Sequence, residues 1–313
     1  MNILICGNNP IGFIYGYLLT KAGHCVEHWI EEESHFMQVE PIQVSLLDGR
    51  ERKKVEQRQA QYSICIAKEQ KEYDVIFMSG DRVQLEQTIQ MLHEQKRSGP
   101  IVLFTPIWQS ADEVKNMLHN QKYMLAFPIA SGAFEEKRVT GVVFSHVMLE
   151  RKKKSNESFY DTVCNLFHSI QIQKKTPYDM FEWNWIYIAI GAGIMVSLPK
   201  GKRIEQGIQE LMQQPTQFQK TVKTIKSCLK IVEARGVDFA HYQKEVSIYY
   251  LPTTMLRMMS KRALQNNSLI QSMLKTPQQL EWIQTLTNEV YEWGQANRVK
   301  APIFYEAYNK KRI

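Results

Sequence analysis

A short turn near the start of the chain has the residue types of a phosphate-binding site. The apolar stretch NILIC runs into Gly7-Asn8-Asn9-Pro10-Ile11-Gly12, and a helical pattern follows. In a strand–GxGxxG–helix unit the glycines allow a tight turn, and the helix N-terminus receives the pyrophosphate of a dinucleotide. Gly7 and Gly12 match the first and third glycines, and Asn9 replaces the second. The pattern predicts a dinucleotide site whose contacts come from residues 7 to 12.

Asn9 is the irregular position of this turn. A side chain there should obstruct the pyrophosphate, which normally approaches the backbone of a glycine. Asparagine nevertheless tolerates a positive φ, and its amide can itself bond a phosphate oxygen. Pro10 lacks an N–H group but suits the first turn of a helix. Two interpretations stay open: a cofactor site with a polar side chain in its turn, or a plain strand–turn–helix unit that binds no cofactor.

The end of the second predicted strand bears on the choice of cofactor. The strand CVEHWI runs into Glu31-Glu32-Glu33, and Glu31 lies 19 residues after Gly12. An acidic residue at this place bonds the ribose hydroxyls of NAD, and its charge repels the 2′-phosphate of NADP. If a dinucleotide binds, the sequence favours NAD(H) over NADP(H). The alternative is a solvated acidic turn.

The elements that would position this turn alternate between strands and helices. Such alternation with short connections predicts a Rossmann-like parallel sheet covered on both faces. The predicted strands are 2–6, 25–30, 41–48, 61–67, 73–79, 100–105, 123–130 and 139–148. The predicted helices of this half are 11–22, 81–95 and 111–120.

The second half of the chain has a helical period throughout. Its predicted helices are 157–169, 178–198, 203–211, 217–235, 242–261 and 278–296. We therefore expect an α/β N-terminal Rossmann-like domain with a parallel sheet over residues 1–174 and an all-α domain over residues 175–313. The apolar segment 185–198 is shorter than the roughly 20 residues of a bilayer span, so we predict a buried core helix and no membrane partner.

Charge, cysteines and histidines exclude several other classes. The chain of 313 residues has a net charge of +7, and residues 151–313 carry 24 Lys and Arg against 13 Asp and Glu. A basic half could bind nucleic acid, but no nucleic-acid-binding signature accompanies it, and we predict no nucleic-acid partner. The five cysteines have no disulfide or metal spacing, no HExxH is present, and no signal peptide is recognisable. We expect reduced thiols, no metal and a cytoplasmic location.

The order of several short stretches resembles the ketopantoate reductase (2-dehydropantoate 2-reductase) family along nearly the whole chain. Besides the opening turn, the stretches that carry the resemblance are Lys21-Ala-Gly-His-Cys-Val26, Tyr73-Asp-Val-Ile-Phe77, Ala126-Phe-Pro-Ile-Ala-Ser-Gly132, the helix at Trp183, Pro252-Thr-Thr-Met-Leu256 and Val299-Lys-Ala-Pro302. The resemblance implies an NADP(H)-linked reduction of a 2-keto acid in pantothenate biosynthesis. It also implies a Rossmann domain, a helical second domain and a substrate cleft between them.

The resemblance assigns roles to individual positions, and several positions depart from the family pattern. The lysine that protonates the developing alkoxide falls at Trp185, and the asparagine one turn later falls at Ala189. Thr254 lies where the family has a substrate-binding serine. Glu281 lies within one residue of the family's carboxylate position, although counting back from the C-terminal motif favours Trp282.

Three further positions near the cofactor also differ from the family pattern. Arg82 stands near a family lysine that follows the strand YDVIF. Thr105 is the only polar residue left where the family has a Gln-Asn-Gly turn. Glu31 stands where the family has a basic residue for the 2′-phosphate of NADP.

We therefore expect a divergent NAD(P)H-dependent reductase of a small 2-keto acid, with Thr254 and Glu281 as its catalytic-site residues. Its cofactor contacts would be residues 7–12, Glu31, Arg82 and Thr105. The alternative is a non-catalytic relative that binds a nucleotide or another ligand without turnover, because the family's lysine and asparagine are missing. A nucleic-acid-binding protein is a third interpretation, and a homodimer is compatible with the first two.

Overall fold

The computed structural model describes residues 1–30, 41–51, 55–67, 71–80, 82–135, 138–276 and 279–312, without the side chains of residues 82, 83, 279–282 and 312. The described chain divides into two compact units, Met1–Met180 and Phe181–Ile313. The first unit combines a sheet with helices, and the second consists of helices. The predicted fold class, an α/β N-terminal domain followed by an all-α domain, is confirmed.

The described part of the first unit is built on one mixed sheet of nine strands. Its strands are β1 (Asn2–Cys6), β2 (Cys25–Trp29), β3 (Ile42–Gly49), β4 (Glu56–Tyr62), β5 (Val75–Met78), β6 (Ile101–Leu103), β7 (Tyr123–Glu135), β8 (Arg138–Leu149) and β9 (Gln173–Lys175). The order across the sheet is β2-β1-β5-β6-β7-β8-β3-β4, and β9 pairs with β8.

Most strand pairs are parallel, as the alternation of strands and helices predicts. The run from β2 to β7 is parallel throughout, and β3 and β9 also lie parallel to β8. The pairs β7–β8 and β3–β4 are antiparallel. A connection of only a few residues can join antiparallel neighbours but cannot make the crossover that a parallel pair needs. The hairpins therefore extend the Rossmann-like sheet at one side.

Strand β4 corrects one sequence-based assignment. A strand was predicted over 61–67, but β4 spans Glu56–Tyr62, and beyond it this stretch contributes only an isolated bridge from Ile66 to His28. The strand EQRQAQY carries mostly polar side chains whose exposure alternates, and it closes one edge of the sheet. An edge strand with one solvated face lacks the apolar run that marks a buried strand. The apolar residues of 61–67 therefore predicted a strand there, and the polar residues of β4 did not.

Within the described residues of the first unit, four helices accompany the sheet: α1 (Pro10–Lys21), α2 (Arg82–Glu94), α3 (Ala111–Met117) and α4 (Glu157–Ser169). Helix α1 is buried along most of its length and belongs to the same apolar cluster as Ile3 and Ile5 of β1. Burying these side chains stabilises the unit by about 25 cal/mol per Å² of apolar surface removed from water. The predicted helices 11–22, 81–95 and 111–120 correspond to α1, α2 and α3.

The second unit contains the helices α5 (Met180–Ser197), α6 (Ile204–Gln213), α7 (Pro215–Ala234), α8 (Gln243–Val246), α9 (Thr253–Asn266), α10 (Ser268–Lys275), α11 (Gln279–Ala296) and α12 (Pro302–Arg312). The single helix predicted over 242–261 is interrupted before Pro252, which begins a new helix as its N-cap. Lys311 Nζ donates to the carbonyls of Met195 and Leu198, and these contacts hold the last turn of α12 against the end of α5.

Helix α5 is the predicted core helix, and seventeen of its eighteen residues are buried or half-buried. It is apolar around its whole circumference, which fits a helix enclosed by others. Among the helices of the described residues, none combines the length and the hydropathy that a membrane span requires.

Candidate functional site

The turn between β1 and α1 depends on Gly7. Its φ of +114° lies in the left-handed region that side chains disfavour. A Cβ added at Gly7 would lie 2.0 Å from the carbonyl oxygen of Ser79, which follows β5. Because that oxygen belongs to the backbone of the neighbouring strand, no side-chain rotation can relieve the overlap. Gly7 therefore has the turn-forming role predicted for the first glycine of the motif.

Gly12 brings α1 close to β1. A Cβ there would lie 3.1 Å from the side chain of Ile5, which is tighter than an ordinary contact. The residue is buried in the first turns of α1. This agrees with the helix–strand packing role that the third glycine has in the motif.

Asn9 is the N-cap of α1 and has extended backbone angles, φ −132° and ψ 153°. Its side-chain oxygen accepts a hydrogen bond from the N–H of Gly12 at 3.0 Å. Its Nδ2 group donates to Ser79 Oγ at 2.6 Å, and Ser79 Oγ donates to the carbonyl of Cys6 at 3.2 Å. The glycine-like positive φ that asparagine tolerates is therefore not used, and the Asn9 amide joins the ends of β1 and β5 to the start of α1.

The fit of a pyrophosphate to this turn depends on the Asn9 side chain. A phosphate at the helix N-terminus would compete with Asn9 for the N–H of Gly12, and Pro10 offers no N–H of its own. An N-cap contributes about 1 kcal/mol to stability, and a bound phosphate supplies new acceptors for the same N–H groups. A pyrophosphate at this helix start would have to displace the Asn9 carboxamide from the N–H of Gly12, at a cost of about that size.

Of the other predicted cofactor residues, Thr105 and Arg82 lie at the same edge of the sheet, and Glu31 lies outside the residues that the structure describes. The strands β1, β5 and β6 are neighbours and parallel, so their carboxyl ends meet. Thr105 follows β6 and is buried there. Arg82 begins α2, but its side chain is not described, and Glu31 lies outside the described residues. In the turn itself Asn8 is exposed, Ile11 is half-buried and Pro10 is buried.

Ser79 belongs to this turn, although it is not among the cofactor-binding residues predicted from the sequence. Its hydroxyl bridges the Asn9 amide and the β1 carbonyl, and the side chain is buried. The available signal was a polar residue directly after the buried strand VIFM, at the carboxyl end where ligands bind in open α/β sheets.

Burial controls the ionisable groups near this edge. Desolvation raises the pKa of the Cys6 thiol to about 12, so Cys6 is not a nucleophile at neutral pH. Desolvation also lowers the pKa of His28 to about 3. His28 Nε2 lies 2.7 Å from the hydroxyl of Tyr62, and its ring stacks on Phe13 at 4.9 Å. With so low a pKa, the imidazole is uncharged at neutral pH and packs beneath α1.

In the second unit, Trp185 occupies the position where the family resemblance predicts a lysine, and its ring stacks against Arg235. The guanidinium carbon of Arg235 lies 3.8 Å from the centre of the Trp185 ring and 4.8 Å from that of Trp293. Arginine stacks on aromatic faces in this way, but it does not give up a proton at accessible pH. Ala189, at the position of the family's asparagine, is fully buried. Neither position offers a general acid.

The two predicted catalytic-site residues lie on separate helices of the second unit. Thr254 is exposed in the first turn of α9. Glu281 belongs to α11, but its side chain is not described, so its orientation stays a prediction. Near the start of α5, Glu182 accepts a hydrogen bond from the hydroxyl of Tyr242 at 2.6 Å.

The His, Cys, Asp and Glu side chains are dispersed over the part of the chain that the structure describes. No group of three or more His, Cys, Asp or Glu side chains there could hold a metal ion. None of the five cysteines, all of which lie in described residues, forms a disulfide.

Comparison with known proteins places the fold. No protein-family model matches the sequence, and no curated protein does either. Among solved structures, the chain is similar to a PanE/ApbA family ketopantoate reductase from Ralstonia eutropha, with 13% identity, 100% of this chain and 97% of the other covered, and a TM-score of 0.68. It is also similar to a dimeric ketopantoate reductase from Staphylococcus aureus, with 11% identity, 100% and 98% coverage, and a TM-score of 0.66.

A third similar structure contains a cofactor. It is a complex of D-mandelate dehydrogenase with NADH, at 11% identity, with 100% of this chain and 98% of that chain covered and a TM-score of 0.68. At such low identities these likenesses establish the architecture and leave the chemistry open. The chain has the fold of the ketopantoate reductases, shared with a dehydrogenase that binds NADH.

Proposed function

We propose that this protein is a divergent NAD(P)H-dependent oxidoreductase that reduces a small 2-keto acid. The observation that carries the proposal is the β1–α1 turn, where Gly7 adopts a φ of +114° and Gly12 packs α1 against β1. These are two of the three backbone requirements of a dinucleotide-binding turn. They occur in a fold that D-mandelate dehydrogenase uses to bind NADH.

In this proposal the N-terminus of α1 would hold the pyrophosphate, with residues 7–12 around it, and Thr105 and Arg82 would add further cofactor contacts. The cofactor would supply a hydride to the ketone carbon. Glu31 would bond the ribose hydroxyls, which makes NAD(H) the preferred cofactor. The substrate would be held by Thr254 and Glu281. The protein's own contribution is orientation and stabilisation of the charge that develops on the ketone oxygen.

The two halves would divide this work. Residues 1–174 would bind the cofactor, and residues 175–313 would bind the substrate and form a homodimer. The dimer is supported by the similar ketopantoate reductase from Staphylococcus aureus, which is described as dimeric. Light scattering on a gel-filtration column would report a mass near twice the 36.6 kDa of the chain, and a monomer mass would exclude the dimer.

We also propose that the protein is located in the cytoplasm.

A second candidate is a ligand-binding relative that does not turn over. The observation in its favour is the stacking of Arg235 on Trp185, which replaces a proton-donating lysine by a cation that keeps its protons. A positioned general acid typically contributes about 100- to 10,000-fold in rate. Without one, cofactor binding could persist while the reduction became too slow to matter.

One experiment distinguishes the two candidates. NADH and NADPH are titrated into the protein and followed by their fluorescence, and oxidation is then followed at fixed cofactor with pyruvate, ketopantoate and phenylglyoxylate. The reductase proposal expects tighter binding of NADH than NADPH and oxidation above a control without protein. Binding without oxidation of either cofactor would favour the second candidate. Absence of binding would exclude both a reductase and a dinucleotide sensor.

A further inference from the structure

Two basic runs of the sequence take no part in the proposed function. Pro199-Lys-Gly-Lys-Arg203 follows helix α5, and Asn309-Lys-Lys-Arg-Ile313 forms the last residues of the chain. Although 113 residues separate Lys311 from Leu198, the Nζ group of Lys311 donates to the backbone carbonyls of Leu198 and Met195. The fold therefore brings lysines of both runs to the carboxyl end of α5.

A cavity of about 480 Å³ lies at this end of α5, and all of its lining residues belong to the second unit. Its volume is within the roughly 300–1,000 Å³ that small-molecule pockets have. Among the described residues, the charged side chains of its lining are Lys200, Lys310, Lys311 and Glu210. The cavity thus has the size for a small ligand and a lining rich in lysine.

The acidic groups at this cavity already have basic partners. Glu210 forms an ion pair with Lys202, a lysine of the first basic run, and accepts a hydrogen bond from Gln214 at 3.1 Å. Outside the lining, Glu306 pairs with Lys310. The lysines of the lining together with Lys202 number four, and these two glutamates leave them a net charge of +2. Such a cluster attracts anions.

Lys311 gives the clearest sign of a missing anion. It is half-buried, its hydrogen bonds go to backbone carbonyls, and no carboxylate of the described residues pairs with it. Desolvation and the positive charge of Lys200 lower the pKa of Lys311. A partly buried cation is stabilised by an opposite charge close to it. An anion in the cavity would therefore offset both the desolvation of Lys311 and its repulsion by Lys200.

The start of helix α7 lies at the same cavity. Its N-cap residue Gln214 and Gln217 of its first turn both line the cavity. The side chain of Gln214 does not cap the helix and instead donates to Glu210. The first turn therefore keeps N–H groups that this side chain does not satisfy, and the helix dipole adds a partial positive charge there. This helix start supports the lysines as a second source of positive potential.

We propose that this cavity binds a small anion with two linked phosphate groups, of which inorganic pyrophosphate is the simplest. Lysine ammonium groups bind phosphate as point charges, and helix starts supply N–H donors to it. Two linked phosphates match lysines that reach one cavity from two separate segments of the chain. The proposal is independent of the reductase function, because none of the lining residues is a predicted cofactor or substrate contact.

Calorimetry with inorganic pyrophosphate tests the site on the full chain. Lys200→Gln removes one charge at an exposed position and should raise the Kd about threefold, and Lys200→Gln/Lys311→Gln should raise it about tenfold or more. The matched control, Lys230→Gln, removes the same charge at an exposed position of α7, about 20 Å along the helix from Gln217. It should leave the Kd within twofold.

Pyrophosphate can also enter the β1–α1 turn, so the titrations are repeated in the Asn9→Asp protein. The losses caused by the lysine substitutions should persist there, and the Kd for NADH should stay within twofold in every lysine variant. Equal pyrophosphate affinity in the unmodified, singly and doubly substituted proteins would overturn the site, and so would the absence of binding. Affinity that is lost in Asn9→Asp but kept in the lysine variants would assign the pyrophosphate to the turn.

Two further measurements keep each result decisive. Urea denaturation reports whether the double variant folds, because Lys311 also holds the end of α12. If it does not fold, Lys200→Gln alone carries the test. A short single-stranded oligonucleotide is titrated alongside, and its binding in the absence of pyrophosphate binding would show a nucleic-acid surface and contradict a small-ligand site. None of these outcomes decides the reductase function, which cofactor titration and keto-acid turnover test separately.

Discussion

The side-chain amide of Asn9 donates to the hydroxyl of Ser79 at 2.6 Å, and so joins the start of α1 to the end of β5. The same carboxamide accepts from Gly12 and caps the helix. The residue that breaks the glycine pattern therefore stabilises the turn that the pattern needs. It does so with the N–H group for which a phosphate would compete, so the affinity for a dinucleotide should depend on what stands at position 9.

Substitution of Asn9 should change cofactor affinity in opposite directions. Asn9→Gly keeps the helix start at a cost of a few tenths of a kcal/mol and frees its N–H groups, so we expect NADH to bind about three- to tenfold more tightly. Asn9→Asp keeps the cap but places a negative charge beside the pyrophosphate, and binding should weaken at least tenfold. Fluorescence titration measures both, and equal affinities in all three proteins would show that the cofactor does not bind at this turn.

Gly7 should be far less replaceable than another glycine with similar backbone angles. Gly7→Ala adds a Cβ 2.0 Å from a backbone oxygen, whereas Gly23, with a φ of +88°, has nothing within 4 Å of its Cβ position. Gly23→Ala should cost about 1 kcal/mol for the left-handed conformation alone, and Gly7→Ala about 3 kcal/mol or more. Urea denaturation gives both free energies of unfolding. Equal losses would contradict the close approach of the turn to β5.

Stability should fall in acid because His28 is buried in its neutral form. Its pKa is about 3 in the folded protein and about 6.5 in the unfolded chain, so the unfolded chain binds the extra proton below pH 6.5. The free energy of unfolding should therefore decline from pH 6.5 toward pH 3, by up to about 1.4 kcal/mol per pH unit from this group.

The contribution of His28 is isolated by replacing it. His28→Gln should remove about 3 kcal/mol of the stability difference between pH 7 and pH 4, and His168→Gln, at an exposed position, should leave that difference unchanged. Urea denaturation at the two pH values makes the comparison. An identical pH dependence in the unmodified protein and His28→Gln would show that the imidazole is not held neutral.

Arg235 should stabilise the helical unit through its aromatic contacts. It lies over both Trp185 and Trp293, so Arg235→Ala should cost about 1–2 kcal/mol, with Arg235→Lys intermediate because an ammonium does not stack as a plane. The control is Lys226→Ala, which removes a contact at 4.7 Å with the exposed ring of Tyr250 and should cost about 0.5 kcal/mol. A loss at Arg235 no larger than that at Lys226 would contradict the stacked arrangement.

The parts of the fold that were predictable from sequence are those in which apolar residues are continuous. Strands β1, β5 and β6 and helix α5 are buried, and their continuous apolar sequences predict this burial directly. Strand β4 and helix α12 were missed because their stability comes from pairing and from long-range contacts. The edge strand β4 pairs with β3, and Lys311 of α12 reaches the carbonyls at the end of α5.

The candidate site was predictable only where backbone geometry dictates the residue. Gly7 and Gly12 are required because β5 and β1 approach their backbone closely, and the spacing of the two glycines predicts such a turn. The role of Asn9 depends on Ser79, which is 70 residues away in sequence. The contact between Trp185 and Arg235 joins two helices. One sequence cannot reveal such relationships, because helical spacing fixes which residues share a face but not what that face contacts.

The central claim is that the β1–α1 turn binds the pyrophosphate of a nicotinamide cofactor. A crystal structure of the protein grown with millimolar NADH tests it most directly. We expect the pyrophosphate at the N-terminus of α1, with the Asn9 carboxamide rotated away from the N–H of Gly12. Crystals in which NADH is absent from this turn, and in which Asn9 still bonds Gly12 and Ser79, would contradict the claim.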